Sequence, residues 1–360
     1  MSVHRIFNYC FVFLLPAQHF STERAESRKQ LDMKILSKKN EITGLQNTKL
    51  TCAVNAVVQV LAQTPGFSET IYEFGGKCKQ EAVLANVLIN SITDVNNASG
   101  IINAEGLQEE MITRRNSFHF WRQHDCLSFL LFLLEALEEE LGNDSMKLFT
   151  GQMRNRFKYD NCEHTEHSSL QNFKSLCIPM NNSENSVEKY LKMLFRAENL
   201  IDSGMYCRSC GKGTASRKLL KHDICSKELL IEESPQILVL QLAKFEEVKD
   251  IYGHTKLDKR HVPMLYSDTL QLQEGESPSR VKYELFAIIS HLGTIEGGHY
   301  VSYVQTIQSQ RECARFDRHD RRSSTWYHCT DSVVTRLEPE AGYPTCPNAY
   351  ILFYHKQPRK

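Results

Sequence analysis

CAVNAVVQVLAQ, residues 52–63, carries apolar side chains at 54, 57, 58 and 61, a spacing that lines one face of an α-helix. Thr51 before it is a good N-cap and Pro65 beyond it a good stop. Downstream, DCLSFLLFLLEALEEEL at 125–141 predicts a second helix, with Asp125 near its start and apolar residues on most faces, so it should be well buried. Residues 86–95 are a further helical candidate. The second half of the chain changes character. ILVLQL (237–242), YELFAIISH (283–291), YVSYV (300–304), residues 326–329 and YILFY (350–354) are rich in β-branched and aromatic residues and read as strands. Helices first and a mainly antiparallel sheet afterwards is an α+β architecture.

The bulk numbers agree with a globular chain. Its 360 residues suffice for one large or two ordinary domains, and 41% hydrophobic with 24% charged residues is ordinary for a soluble protein. Lys+Arg and Asp+Glu both number 43, and no long basic run exists, so nothing favours nucleic acid as a partner. The 12 cysteines are scattered, with one CxxC pair at Cys207 and Cys210. A secreted disulfide scaffold is shorter and denser in Cys, so a reducing compartment, cytoplasmic or nuclear, is expected. IFNYCFVFLLPA at 6–17 is apolar and loosely like a signal peptide, but it is too short to span a membrane and lacks a clear small-x-small cleavage site. It reads as a divergent leader or alternative start rather than as export. Residues 18–43 are polar and charged, so 1–43 reads as a loosely ordered arm, with order beginning near Gly44.

Two residues point to chemistry. Cys52 falls in the first turn of its helix, where unpaired N–H groups and the helix dipole favour thiolate. His299 follows Gly297 and Gly298 and leads into a strand, a setting that suits a general base on a sheet edge beside a flexible loop. A buried small Cys and an ordinary core His are the plain readings of each taken alone.

Five segments in order change that balance. GLQNTKLTCAVNAVVQVL (44–61) resembles the Cys box of the ubiquitin-specific proteases, GLxNxGNTCYxNSxLQxL. QHDCLSFLLFLL (123–134) resembles their QQDAxEFLxxLL segment, and YELFAIISHLGTIEGGHYVSY (283–303) their His box. WYHCTDSVV (326–334) and AYILFY (349–354) look like the closing WYxFNDxxV and AYxLxY. The resemblance implies the papain-like cysteine protease superfamily in its thumb, palm and fingers form. The catalytic domain would span 44–358: thumb about 44–145, palm and fingers about 146–358, with fingers in 155–240. It implies a thiol-dependent hydrolase of the isopeptide bond after the C-terminal Gly of ubiquitin or a ubiquitin-like modifier. Cys52 matches the nucleophile, His299 the base and Asn47 the oxyanion-hole donor. Gln123 and Asp125 match residues that brace the substrate cleft, joined by Gly298 and Tyr300 beside the base. No cofactor is implied for catalysis, and the implied partners are the modifier and its conjugates, with neither membrane nor nucleic acid, the chain acting as a monomer. A papain-like enzyme proper is excluded, since no CGSCW-like segment occurs.

The departures bear on activity. The family's GNT before the nucleophile is Lys49-Leu50-Thr51, and its Tyr after it is Ala53. The third triad position aligns with Thr330, followed by Asp331; a hydroxyl carries no charge to stabilise imidazolium, so Asp331 is expected to orient His299, alone or with Thr330. These changes motivate the alternative of an inactive ubiquitin-binding scaffold. The family's fingers often hold structural zinc through two CxxC pairs. Here Cys207, Cys210 and Cys162 remain, Tyr159 stands where the fourth Cys belongs, and His164 or His167 could replace it; a site held by packing without zinc is the other outcome. Glu135–Glu140 reads as a solvated helix end, and residues 305–325 as a mobile loop. The short length resembles the interferon-linked branch that removes a ubiquitin-like modifier, though no motif selects it.

Overall fold

The computed structural model describes residues 42–78, 82–97, 102–115, 124–160, 162, 164–180, 186–201, 207, 224–249, 254–259, 263–276, 280–294, 297–306, 325–337 and 343–358. The apolar segment 6–17, Gln123, Cys210 and most of the 305–325 stretch lie outside them.

Six helices are described: α1 (Cys52–Ala62), α2 (Phe67–Gly75), α3 (Val83–Asn97), α4 (Glu105–Arg114), α5 (Cys126–Leu141) and α6 (Val187–Leu194). Helix α1 has four valines, modest helix formers, yet every one of its residues is buried. It packs on α3 and α5 on one side and on the main sheet on the other, so tertiary burial rather than propensity holds it. Its buried polar side chains have a separate task. The amide of Asn55 donates to the Leu45 carbonyl (3.2 Å) and that of Gln59 to the Thr43 carbonyl (2.7 Å), fastening the incoming chain along the helix. Helix α5 ends differently from the solvated terminus expected. Glu140 is buried at its side chain, accepts from the Leu84 and Ala85 N–H groups at the start of α3, and pairs with Arg114. A carboxylate there satisfies orphan donors and the positive end of the α3 dipole.

The strands are β1 (Leu45–Gln46), β2 (Ile102–Asn103), β3 (Gly151–Tyr159), β4 (Thr165–His167), β5 (Gln171–Phe173), β6 (Leu176–Pro179), β7 (Glu198–Ile201), β8 (Ile224–Glu233), β9 (Ile237–Ala243), β10 (Phe245–Lys249), β11 (Thr255–Lys259), β12 (Thr269–Gln273), β13 (Arg280–Gly293), β14 (Gly298–Gln305), β15 (Trp326–Thr330), β16 (Val333–Arg336) and β17 (Ala349–Lys356). The main sheet runs β16-β15-β14-β13-β17-β9-β6, with β12 also paired to β13; only β6 runs parallel to its neighbour. Its central strands are apolar without alternation because both faces are covered. Ile237 and Val239 join the core shared with the helices, while Leu238 and Leu240 join a second core on the opposite face. A second sheet, β4-β3-β8-β7 with β5 on β3, extends from it, and β10 and β11 form a separate hairpin. This is the α+β fold expected, with the sheet longer at most strand ends than the sequence indicated.

Candidate active site

The segment 47–51, α1, β14 and the β15–β16 turn meet at one place. Cys52 opens α1, nearly buried at 3% exposure. The preceding Thr51 occupies the N-cap position but makes no side-chain cap; instead its N–H and hydroxyl both donate to the side-chain Oδ1 of Asn47, at 3.0 and 3.3 Å. Leu50 has φ +57°, a left-handed backbone that a branched side chain adopts at a cost, and it is largely exposed.

The imidazole arrives on β14. His299 pairs with Leu292 of β13 at the mouth of the β13–β14 turn, and on its other side it lies beyond the β15 ladder, which pairs with β14 only from Ser302 to Gln305, so locally it stands at an edge as expected. Its Nε2 lies 2.9 Å from the Thr330 hydroxyl and 3.7 Å from Asp331 Oδ2. Thr330, not Asp331, therefore makes the short contact with the imidazole. The Asp331 carboxylate is engaged by the helical side: Asn55 donates to Oδ1 at 2.8 Å and Asn47 to Oδ2 at 3.0 Å. Asp331 also has φ +50°, which a short polar side chain tolerates, and its carbonyl accepts from Leu45 N–H at 2.9 Å. Gly44 is needed beneath this turn, because a Cβ there would come within 2.3 Å of the Ser332 carbonyl oxygen. One carboxylate thus spans from α1, one turn beyond Cys52, to the neighbourhood of His299.

Around this centre lies a second group of polar and aromatic side chains. Asp125 caps α5 through Oδ1, which accepts from Ser128 N–H at 2.8 Å, while Oδ2 accepts from the hydroxyls of Tyr350 (2.7 Å) and Tyr300 (3.3 Å). Burial and this carboxylate push both phenols up. The Tyr300 ring packs on His291, their centroids 4.7 Å apart. Burial, assisted by Lys259, lowers His291 to about 4, so it is neutral at pH 7. A Cβ on Gly298 would come within 2.2 Å of the His291 ring, which explains the glycine before His299. Gln123, expected to brace the same cleft, lies outside the described residues.

Asn55, Tyr350 and His291 had no role assigned from sequence. Asn55 could have been suspected, because an amide in an otherwise apolar buried helix must find a partner. Tyr350 and His291 carry no such signal: in a strand, either reads as an ordinary buried side chain.

At the far end of the second sheet, Cys162, His164 and Cys207 place their ligand atoms within 4.8 Å of one another. Two thiolates and an imidazole are donors that zinc accepts at about 2.0–2.3 Å, so the set fits a tetrahedral ion. Tyr159 is engaged elsewhere, its hydroxyl donating to Glu166 at 3.1 Å and its side chain packing with Cys207 and Cys225. His167 faces Glu276 at 3.4 Å.

Among the described residues no helix is long and apolar enough to cross a membrane. The family model for ubiquitin carboxyl-terminal hydrolase matches residues 43–354. Ubiquitin carboxyl-terminal hydrolase 17-like protein C of Mus musculus is 27% identical over 87% of this chain and 54% of its own length. Ubiquitin carboxyl-terminal hydrolase Usp2 of Drosophila melanogaster is 25% identical over 89% of this chain and 35% of its own length. The chain thus spans about half or less of these two relatives. In fold it is similar to a SAGA DUB module of Ubp8, Sgf11, Sus1 and Sgf73 bound to monoubiquitin, with a TM-score of 0.71 at 19% identity over 89% of this chain and 70% of that one. The ordered boxes, the fold and a match over most of its length agree: the chain belongs to the ubiquitin carboxyl-terminal hydrolase family.

Proposed function

We propose that the chain is a thiol-dependent isopeptidase releasing ubiquitin or a ubiquitin-like modifier from conjugated proteins. The observation that carries this reading is the Asp331 carboxylate, which bonds Asn55 on the nucleophile's helix and stands 3.7 Å from the imidazole of His299. Family membership and the similarity to solved modules bound to monoubiquitin or ubiquitin aldehyde support the substrate class.

In this mechanism Cys52 thiolate attacks the carbonyl carbon of the modifier's C-terminal Gly, and the electrons move onto its oxygen. His299 delivers a proton to the lysine nitrogen as the C–N bond breaks, leaving a thioester on Cys52. A water, deprotonated by His299, then cleaves the thioester. Thr330 orients the imidazole, and Asp331 supplies charge from the second position while fixing Asn47 and Asn55. One N–H of the Asn47 amide is held by Asp331, and the amide's second N–H can serve the oxyanion from the same orientation. Asp125, Gly298, Tyr300 and Gln123 would line the path of the modifier's tail.

A second reading, an inactive ubiquitin-binding scaffold, is favoured by the uncharged Thr330 at the base. A ubiquitin probe with an electrophilic C-terminus separates the two: covalent labelling supports the enzyme, and binding without labelling supports the scaffold. Probes built on ubiquitin-like modifiers resolve which modifier is preferred.

We further propose a thumb of about 44–145, with palm and fingers to 358, a monomer acting in the cytoplasm or nucleus on protein conjugates. Cys162, His164 and Cys207, with Cys210, would hold structural zinc in the fingers, fastening the two ends of the second sheet. Chelation is expected to lower the melting temperature and release about one zinc per chain by colorimetric assay. A zinc-free chain of unchanged stability contradicts this part.

A further inference from the structure

We propose that Lys259 is a positioning residue that sets the β13–β14 turn, and hence His299, by gripping the unpaired end of β13. This rests on the protease reading above. The argument begins with strand lengths. Strand β17 stops pairing with β13 at Ser290–Ala349, after which only the His291 N–H finds the chain preceding β17, at the Asn348 carbonyl (3.0 Å). Strand β13 continues to Gly293, and on that side its last carbonyls have no strand opposite them. Buried carbonyls without partners are costly. Lys259 supplies the partner: its ammonium donates to the carbonyls of His291 (2.5 Å) and Gly293 (2.9 Å).

Those two carbonyls flank Leu292, the cross-strand partner of His299. The next residue pair, Gly293 and Gly298, closes the strands, with Gly293 at φ +89° and Thr294 N–H bonded to the Gly297 carbonyl at 3.1 Å. The place where the lysine holds β13 is therefore the place where the turn bearing the base begins. A second contact comes from the same hairpin. Phe245, the register partner of Lys259, packs edge-on against the His291 ring and the Tyr350 ring, at centroid separations of 5.6 and 5.7 Å. The base of the β10–β11 hairpin thus holds the end of β13 through both backbone and side chain.

A buried ammonium is a costly way to fill space. Lys259 is 5% exposed, burial lowers its pKa, and it lies close enough to Lys244 to depress that amine to about 8 together with desolvation. Two cations in one interior are tolerable only where each makes bonds that an apolar residue could not; Lys244 donates to the Pro347 carbonyl beside Asn348.

The test uses the full chain, with Lys259→Met and Lys259→Arg. Melting temperature, probe affinity, and kcat and KM on ubiquitin carrying a fluorogenic C-terminal amide are measured, with kcat followed from about pH 5 to 9. The expected result is a folded Lys259→Met chain with kcat reduced about 100-fold, KM little changed and the acid limb of the pH profile displaced, since an ångström of misplacement at the base has that scale of effect. Lys259→Arg should restore most of the rate. An unchanged kcat, or a loss matched by the unfolded fraction with an unmoved pH profile, overturns the proposal. Where Lys259→Met does not fold, Lys259→Gln is used, its amide nitrogen one bond short of the ammonium's reach and so unable to span both carbonyls; the proposal then requires a reduced kcat at wild-type KM, and wild-type kcat overturns it. A wild-type chain that turns over no substrate sinks the protease reading itself, which an altered variant alone does not.

Discussion

The two loops that deliver the reacting groups are built on opposite plans. The loop before Cys52 is exposed and strained: Leu50 sits at φ +57° where glycine or asparagine would rest easily, and one N–H of the Asn47 amide is held by Asp331. The turn before His299 is also exposed but is supported at its base: Gly293 takes the left-handed position, Gly298 lies against the buried His291, and Lys259 holds the strand end. The imidazole proposed as base is set by a supported strand end, and the neighbours of the proposed nucleophile are left to adjust. A cleft that must rearrange on binding would yield on the nucleophile side.

Breaking the supported side should have the largest effect. His291 is held neutral, lowered to about 4 from an ordinary value near 6.5 by burial first, then by Lys259, with Asp125 opposing and His299 and Lys244 adding to the depression. The unfolded chain binds the proton more readily, so this contribution to stability is complete above pH 6.5 and is lost as pH falls toward 4. The loss is on the order of 3 kcal/mol. Denaturant titrations across that range should show it, and His291→Phe should flatten it. A chain as stable at pH 4.5 as at 7 contradicts the packed neutral imidazole.

Next comes Gly298→Ala. Its new Cβ meets the His291 ring at 2.2 Å, so either the ring or the turn must move, at a cost of about 1–3 kcal/mol. Activity should fall further than stability, read as kcat against melting temperature, because His299 is the adjacent residue. Smaller still is the gain from Leu50→Gly, which relieves left-handed strain but frees the unfolded chain, a net stabilisation under about 1 kcal/mol. A destabilised Leu50→Gly chain would show that the leucine side chain itself supports the loop, removing the contrast between the two sides.

Much of this was legible beforehand, for identifiable reasons. Helices α1 and α5 declare themselves because burial is written in period 3.6, and β9, β13, β14 and β17 because both of their faces are covered. Helices α2, α4 and α6 are short, and the second sheet's long strand β3 (GQMRNRFKY) is too polar to read as a strand, so these elements were not marked out. In the site, Cys52 and His299 were indicated by the ordered boxes around them, since either residue alone reads as an ordinary buried Cys or core His. The partner of the imidazole was not readable, because Thr330 and Asp331 are adjacent and only the left-handed turn at Asp331 decides that the hydroxyl faces His299 while the carboxylate faces Asn47 and Asn55. Glu140 misled for a related reason: in a run of glutamates, nothing local marks the one that reaches across to cap another helix.

The most direct measurement is reaction of the whole chain with ubiquitin, and with ubiquitin-like modifiers, bearing an electrophilic C-terminus, followed by mass spectrometry of the adduct. A single modifier attached to Cys52, absent in Cys52→Ala and slowed in His299→Ala, is the outcome predicted. A chain that binds the modifier yet forms no adduct, or one labelled equally well without Cys52, contradicts the account.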